Sequence, residues 1–224
     1  MSKMVWDQIG ERLYETGIEQ VALFPQVGGA YPKGVPWNGV TALNLSPSGA
    51  EPTALYANDR KYVTLMSAEE LGGTIEAYTY PKEWEECDGS AEVVPGVYVG
   101  QQTRTSFGLV GKTLIGNDTE MTKHGYKLHL IYGGLASPSE EENASINDSP
   151  EAKTMSWEFS TTPVAVSGYE STSYICIDST VADPDKLKAL EAILYGANET
   201  EPRLPLPAEV FTLMGYTAGQ GAGT

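Results

Sequence analysis

The segment most suggestive of chemistry is Ser106-Phe-Gly-Leu-Val-Gly-Lys-Thr, which ends in Gly111-Lys112-Thr113 like a phosphate-binding loop. Such a loop needs a glycine at its start, a strand before it and a helix directly after the Lys-Thr pair, so that backbone N–H groups face the phosphates. Ser106 stands where the glycine should be, and Gly116-Asn117-Asp118 breaks the chain soon after Thr113. The segment therefore reads as strand, turn and strand. His124 and His129 are the two histidines. Five residues apart on a strand, they point to opposite faces and cannot share a metal directly. Cys87 and Cys176 make neither a disulfide framework nor a metal site. Cys176 lies in the apolar run Tyr174-Ile-Cys-Ile and is expected in the core; Cys87 follows Trp84-Glu-Glu and is expected to be partly exposed. Glu85-Glu86 and Glu140–Glu142 read as solvated charge rather than as an acid–base pair. The residues indicate no catalytic, metal or cofactor site, and the chain is expected not to be an enzyme.

The elements that would carry these residues are mostly strands. Ile18–Phe24 reads as a short strand ended by Pro25, and Thr74–Tyr80 has the aromatic and β-branched content of a strand ended by Pro81. Val40–Leu45 alternates loosely. Thr103–Val110 places Thr105, Phe107 and Leu109 on one face. His124–Tyr132 puts Tyr126, Leu128, Leu130 and Tyr132 on one face and Lys127 and His129 on the other. In Thr154–Ser160, Met155, Trp157 and Phe159 point inward. Tyr174–Asp178 is a further strand. One helix is expected near 184–195: Asp183 caps it, Pro184 suits its first turn, Leu187, Leu190, Ile193 and Leu194 form an apolar stripe, and Gly196 stops it. Lys82–Glu86 allows a second short helix, and Ser67–Leu71 a single turn. The expected fold is mainly β: a β-sandwich or partial barrel of at least six strands with one flanking α-helix, a long N-terminal arm and long loops. The expected organisation is an arm over residues 1–38, a β domain over 39–214 and a flexible tail over 215–224. The acidic segment Ser137–Glu151 is expected to be a solvated loop.

Composition agrees with a strand-and-turn protein: the 224 residues include 24 glycines and 14 prolines, and 41% are hydrophobic. The formal net charge of −16 argues against a surface that grips phosphates through Lys and Arg. It suits solubility, or a surface past which nucleic acid slides without sticking. The N-terminus, Met1-Ser-Lys-Met-Val-Trp-Asp, lacks an apolar core of signal-peptide length. No run reaches the roughly 18 apolar residues of a membrane span. The thiols are expected to be reduced, from synthesis in the cytosol.

Several stretches in order, Ile18–Phe24, Gly34-Val-Pro-Trp-Asn-Gly-Val-Thr-Ala, Gly72–Pro81, Cys87-Asp-Gly-Ser, Gly125–Tyr132, Thr161-Thr-Pro-Val and the helix leading to Leu194-Tyr-Gly, resemble the major tail (tail tube) proteins of siphophages. The resemblance implies a non-catalytic virion protein whose hexameric rings stack into a tube that conducts genomic DNA without binding it specifically. It implies as partners other copies of the chain, a tape measure protein, and tail-tip and terminator proteins. It implies assembly in the host bacterial cytoplasm and residence in the virion tail. Because the sequence stops soon after Leu204-Pro-Leu-Pro, the immunoglobulin-like decoration that some relatives append is expected to be absent. Glu76, on the best strand, is the candidate for a lumen position. Trp6, Phe24, Tyr31 and Trp37, apolar groups on the expected arm, are candidates for contacts between rings, as is the excursion from Ser46 to Met66.

Two other readings compete. An acidic β-sandwich could bind carbohydrate or protein through exposed Tyr78, Tyr80 and Trp84. A hydrolase could use a carboxylate pair among the 30 acidic residues, with a pH-dependent turnover.

Overall fold

The computed structural model describes residues 3–140, 143, 145, 152–166, 168–197 and 200–216. In chain order the strands are β1 (Tyr14–Pro25), β2 (Val35–Pro36), β3 (Val40–Gly49), β4 (Pro52–Ala57), β5 (Arg60–Met66) and β6 (Glu69–Ala77). Helix α1 (Trp84–Asp88) follows, then β7 (Ala91–Val94), β8 (Val97–Val99), β9 (Phe107–Asn117), β10 (Met121–Ala136), β11 (Met155–Thr161) and β12 (Tyr174–Asp178). Helices α2 (Pro184–Tyr195) and α3 (Pro207–Leu213) close the list. The fold is mainly β and is built on one large antiparallel sheet.

That sheet runs β2-β1-β9-β10-β11-β6-β3, with β12 also paired to β10. Strand β10 changes partner part-way along. It bonds β12 from Lys127 to Ile131 and β11 from Gly134 to Ala136. The switch falls at a bulge around Gly133, whose φ of 63° is left-handed. A Cβ there would collide with the carbonyl oxygen of Thr162, so only glycine fits.

The alternation read in the sequence sorts side chains onto two cores, one on each face. On one face Val110, Leu128, Leu130, Tyr132, Ile175 and Ile177 meet α2 and α3. Helix α2 forms there because the Asp183 carboxylate accepts the N–H groups of Asp185 and Lys186 at 3.0 and 3.2 Å and Pro184 opens its first turn. Its Leu187, Leu190 and Leu194 are buried against the sheet. On the other face Val21, Leu23, Leu109, Ile131, Trp157, Phe159 and Ile75 converge. The sheet curls to enclose them: β1 and β3, far apart in strand order, come into contact. Trp37, Trp84, Trp157 and Phe107 plug one end of this half-barrel, with ring centroids 4.7–5.6 Å apart.

Several expectations change. Residues from Tyr14 onward are not an arm: β1 lies inside the sheet, so only the segment before it remains outside. Ser106–Thr113 is not strand–turn–strand; one strand runs unbroken from Phe107 to Asn117, because β1 and β10 pair it along both sides. Ser67–Leu71 makes no helical turn, since from Glu69 onward it pairs with β3. The Ser46–Met66 excursion is ordered as the end of β3 and a β4–β5 hairpin. Helix α3 was not foreseen; Pro207 at its start and Glu209 in its first turn are the sequence signals for it. Most of Ser137–Glu151, and 217–224 of the expected tail, lie outside the described residues.

Candidate assembly surfaces

Of the four aromatic groups expected between rings, Phe24, Tyr31 and Trp37 are buried within the chain itself. Phe24 and Tyr31 sit in the core under α2 and α3, where the Tyr31 hydroxyl accepts the Gly133 N–H at 2.8 Å. Trp37 packs on Trp84 and donates its indole N–H to the Thr79 carbonyl at 2.8 Å. Their apolar surface is already used, so they cannot serve a neighbour without unfolding the core. Trp6 differs: it is 74% exposed. Of the aromatic trio offered for ligand binding, Trp84 is likewise buried, whereas Tyr78 and Tyr80 are exposed, Tyr80 edge-on to Trp157.

The two cysteines exchange the environments expected of them. Cys87 is buried because Trp84 and Cys87, three apart on α1, share the face that plugs the half-barrel. Burial, with Glu86 and Asp88 nearby, pushes its thiol up to about 12. Cys176 is exposed, because alternation along β12 sends Ile175 and Ile177 into the core and the residue between them outward.

Glu76 lies half-buried on the outward face of β6, opposite Ile75 and Ala77. Its cross-strand neighbours are Ala42 and Ser156, and Thr74 beside it pairs with Asn44 and Glu158. No lysine or arginine occurs in β3, β6 or β11, so this uncovered sheet face is polar and acidic. It belongs to the side of the sheet on which α2 packs.

The opposite side of the sheet is bare of α2 and α3 along β1, β9, β10 and β12, and most of its side chains there are half-buried. Cross-strand register brings Glu15, Thr113, Lys127, His129, Cys176 and Asp178 onto it. Lys127 binds Glu15, which raises the Lys127 pKa. His129 is held from both sides, with Nδ1 2.6 Å from the Tyr174 hydroxyl and Nε2 2.8 Å from Thr113 Oγ1. Thr180 bonds to the Asp178 carboxylate and keep its pKa low. His124, on the other parity, meets Glu120 and Asn117 instead. The sequence placed Lys127 and His129 together on one face but gave no register for β1 and β12, so this group was not assembled there. Among the described residues no three His, Cys, Asp or Glu side chains converge as a metal site, and no helix is long and apolar enough to cross a membrane.

This bare portion has two unpaired margins. Strand β2 covers β1 only at Ala22 and Leu23, leaving Tyr14–Gln20 without a strand partner on that side among the described residues. Among the described residues strand β12 pairs with β10 alone. Because Tyr132 N–H bonds to the Ser173 carbonyl, alternation turns the N–H and C=O of Cys176 away from β10.

Exposed apolar side chains gather at the two ends of the sheet. At one end the β4–β5 hairpin continues the β3–β6 ladder past Gly49 and Glu69. It exposes Leu55, Tyr56, Tyr62, Val63, Leu65 and Met66. The N-terminal segment, tied by Gly10 N–H to Asp118 at 2.9 Å, adds Trp6, Ile9 and Leu13 at that end. At the other end α1 and the β7–β8 hairpin expose Val93, Val94, Val97, Tyr98 and Val99. Comparison of the chain with protein-family models and with characterised proteins found no match.

Proposed function

We propose that this chain is the repeating subunit of a bacteriophage tail tube: copies close into hexameric rings, the rings stack, and the bore conducts DNA. The observation that carries this reading is the four-strand portion β1-β9-β10-β12, unpaired on both margins. Strand direction alternates from β1 to β12, so β12 of one copy and β1 of the next meet antiparallel when copies are related by rotation. Such a contact is head-to-tail and closes only as a ring. Leaving both margins exposed would invite indiscriminate pairing, and ring closure removes it.

In that ring α2 and α3 lie outside and the bare face turns inward. The bore then carries Glu15, Thr113, Lys127, His129 and Asp178, while Glu76, on the helix side, faces outward. Two carboxylates against one lysine, itself bound to Glu15, leave the wall net negative, which repels phosphate and gives it no purchase. The further partners of such a tube are a tape measure protein and the tail-tip and terminator proteins; it is assembled in the host cytoplasm and resides in the virion. Electron microscopy of concentrated protein tests the reading. Rings or tubes with a central hole are expected, and a protein that stays monomeric at every concentration sinks it.

A further inference from the structure

We propose that His124 is a pH-operated latch for the N-terminal segment: the neutral imidazole holds residues 8–13 against the β9–β10 turn, and protonation releases them. All the groups involved belong to one copy, so the proposal goes beyond the tube reading and does not depend on it.

The segment is held at a single residue. Gly10 gives its N–H to Asp118 Oδ1 at 2.9 Å, and its carbonyl oxygen accepts the Asn117 Nδ2–H at 3.2 Å. Arg12 adds a looser contact, 3.8 Å from Asp118, with its own side chain half exposed. Apart from Gly10, every residue from Lys3 to Leu13 is exposed, so no apolar burial secures this stretch. The two bonds at Gly10 carry it.

Asn117 cannot turn to suit other partners. Its Oδ1 accepts the Thr119 N–H at 3.1 Å, the Thr119 hydroxyl at 3.1 Å and the Glu120 N–H at 2.5 Å. Its Nδ2 therefore faces the Gly10 carbonyl on one side and His124 Nδ1, 3.2 Å away, on the other. Two hydrogens meet two acceptors. Asn117 is only 4% exposed, so solvent cannot replace either of them.

His124 Nδ1 also lies 2.7 Å from Glu120 Oε2. One nitrogen cannot accept from Asn117 and donate to Glu120 at once. A neutral ring with its hydrogen on Nε2 accepts from Asn117 and leaves Glu120, whose side chain is 58% exposed, to solvent. A protonated ring carries a hydrogen on Nδ1 and gives it to Glu120 in a charge-assisted bond. The Asn117 Nδ2–H then confronts the N–H of a cation. Because the turn fixes the amide oxygen, the displacement falls on the remaining Nδ2 contact, the Gly10 carbonyl. From β12, Asp178 faces the same imidazole, with its carboxylate engaged by the Thr180 N–H and hydroxyl. On the far side of Asn117, Asp118 is engaged by Gly10 and Arg12. Imidazole is the side chain whose charge ordinarily changes between pH 8 and 5.

Cleavage after Glu11 by a glutamate-specific protease active at both pH 7.5 and pH 5.5 tests this. The protein is kept dilute, and rates are normalised at each pH to the free peptide of residues 3–16. The normalised rate is expected to rise about tenfold from pH 7.5 to pH 5.5 in the wild type. His124→Gln, which does not titrate, removes the rise; His129→Gln retains it. Unchanged circular dichroism at the two pH values ensures that cleavage reads the segment and not unfolding. No rise in the wild type, or an equal rise in His124→Gln, overturns the latch. Nuclear magnetic resonance of the wild type needs no variant. At pH 7.5 the ¹⁵N shift of His124 Nδ1 should be that of an unprotonated nitrogen, and the Gly10 amide should move with the same midpoint as the ring. A hydrogen already on Nδ1 at pH 7.5, or a Gly10 amide indifferent to the titration, overturns the proposal as well.

Discussion

The Nδ1 atom of His129 lies 2.6 Å from the hydroxyl of Tyr174, across the register that sets β10 beside β12. With Thr113 Oγ1 2.8 Å from Nε2, both ring nitrogens are occupied, one on each neighbouring strand. The imidazole thus ties β9, β10 and β12 together on the bare face, next to the Lys127–Glu15 pair. Burial is the main cause of its lowered pKa; Lys127 pushes the same way and Glu15 opposes.

The sign of the pH dependence follows. A folded-state pKa below the unfolded value of about 6.5 means that the native state favours the neutral ring. Its contribution is fully present above about 6.5 and is lost as pH falls through the lower, folded value. The melting temperature of dilute protein should fall more between pH 7.5 and 5.5 for the wild type than for His129→Gln, which keeps hydrogen-bonding capacity without the titration. Parallel curves for the two proteins would refute this assignment.

A second tie joins the sheet to its helix. Lys112, buried on β9, places Nζ 3.0 Å from Glu191 of α2 and 4.0 Å from the centre of the Tyr126 ring. Tyr126 in turn bonds Glu191, and burial with that carboxylate pushes its phenol up to about 12. Lys112→Met should cost about 3 kcal/mol, because Glu191 is left under the helix without its counter-charge. Lys112→Met/Glu191→Leu should recover most of the loss, since apolar groups can replace a paired charge of similar volume. Urea denaturation of the single and double variants measures the coupling. Additive losses would mean that the pair contributes nothing as a pair.

Tryptophans at the two ends of the sheet should separate folding from assembly. Trp84 is enclosed by Trp37, Trp157 and Phe107, so Trp84→Ala opens a cavity and should cost about 3–5 kcal/mol. Trp6→Ala removes an exposed side chain and should change monomer stability by no more than about 0.5 kcal/mol. If the end that bears Trp6 is an assembly surface, the same change weakens association. A large stability loss from Trp6→Ala would show that the segment before β1 is part of the folded unit.

How far the sequence could be read depended on whether a feature was local. Helix α2 was legible in full, because its cap, its opening proline and its apolar stripe lie within thirteen residues. The inward faces of β10 and β11 were legible because alternation survives whatever the partner strand. Phe24, Tyr31 and Trp37 were misread: glycines and prolines around them hide the long-range pairing of β1 with β9 that buries them. The lysine of the phosphate-loop-like run has a different explanation. Lys112 sits in a continuous strand and faces Glu191, 79 residues away, which no local pattern contains. The bare face and its two margins needed the register of four strands at once.

The cysteines offer the last test, because their exposure inverts what the local sequence suggests. Cys87 is enclosed with Trp84, and its high pKa leaves almost no thiolate at pH 8. Cys176 stands exposed on β12, beside the margin proposed to receive β1 of the next copy. Iodoacetamide at pH 8 should label one thiol per chain in the native protein, at Cys176, and the second only in denaturant. Attachment of a long polyethylene-glycol maleimide to Cys176 should then abolish ring formation, since the polymer obstructs the β12 margin. A small methylthio group there, which leaves the backbone N–H and C=O free, should permit it. Rings of ordinary yield from the polymer-modified protein would mean that copies meet through some other edge.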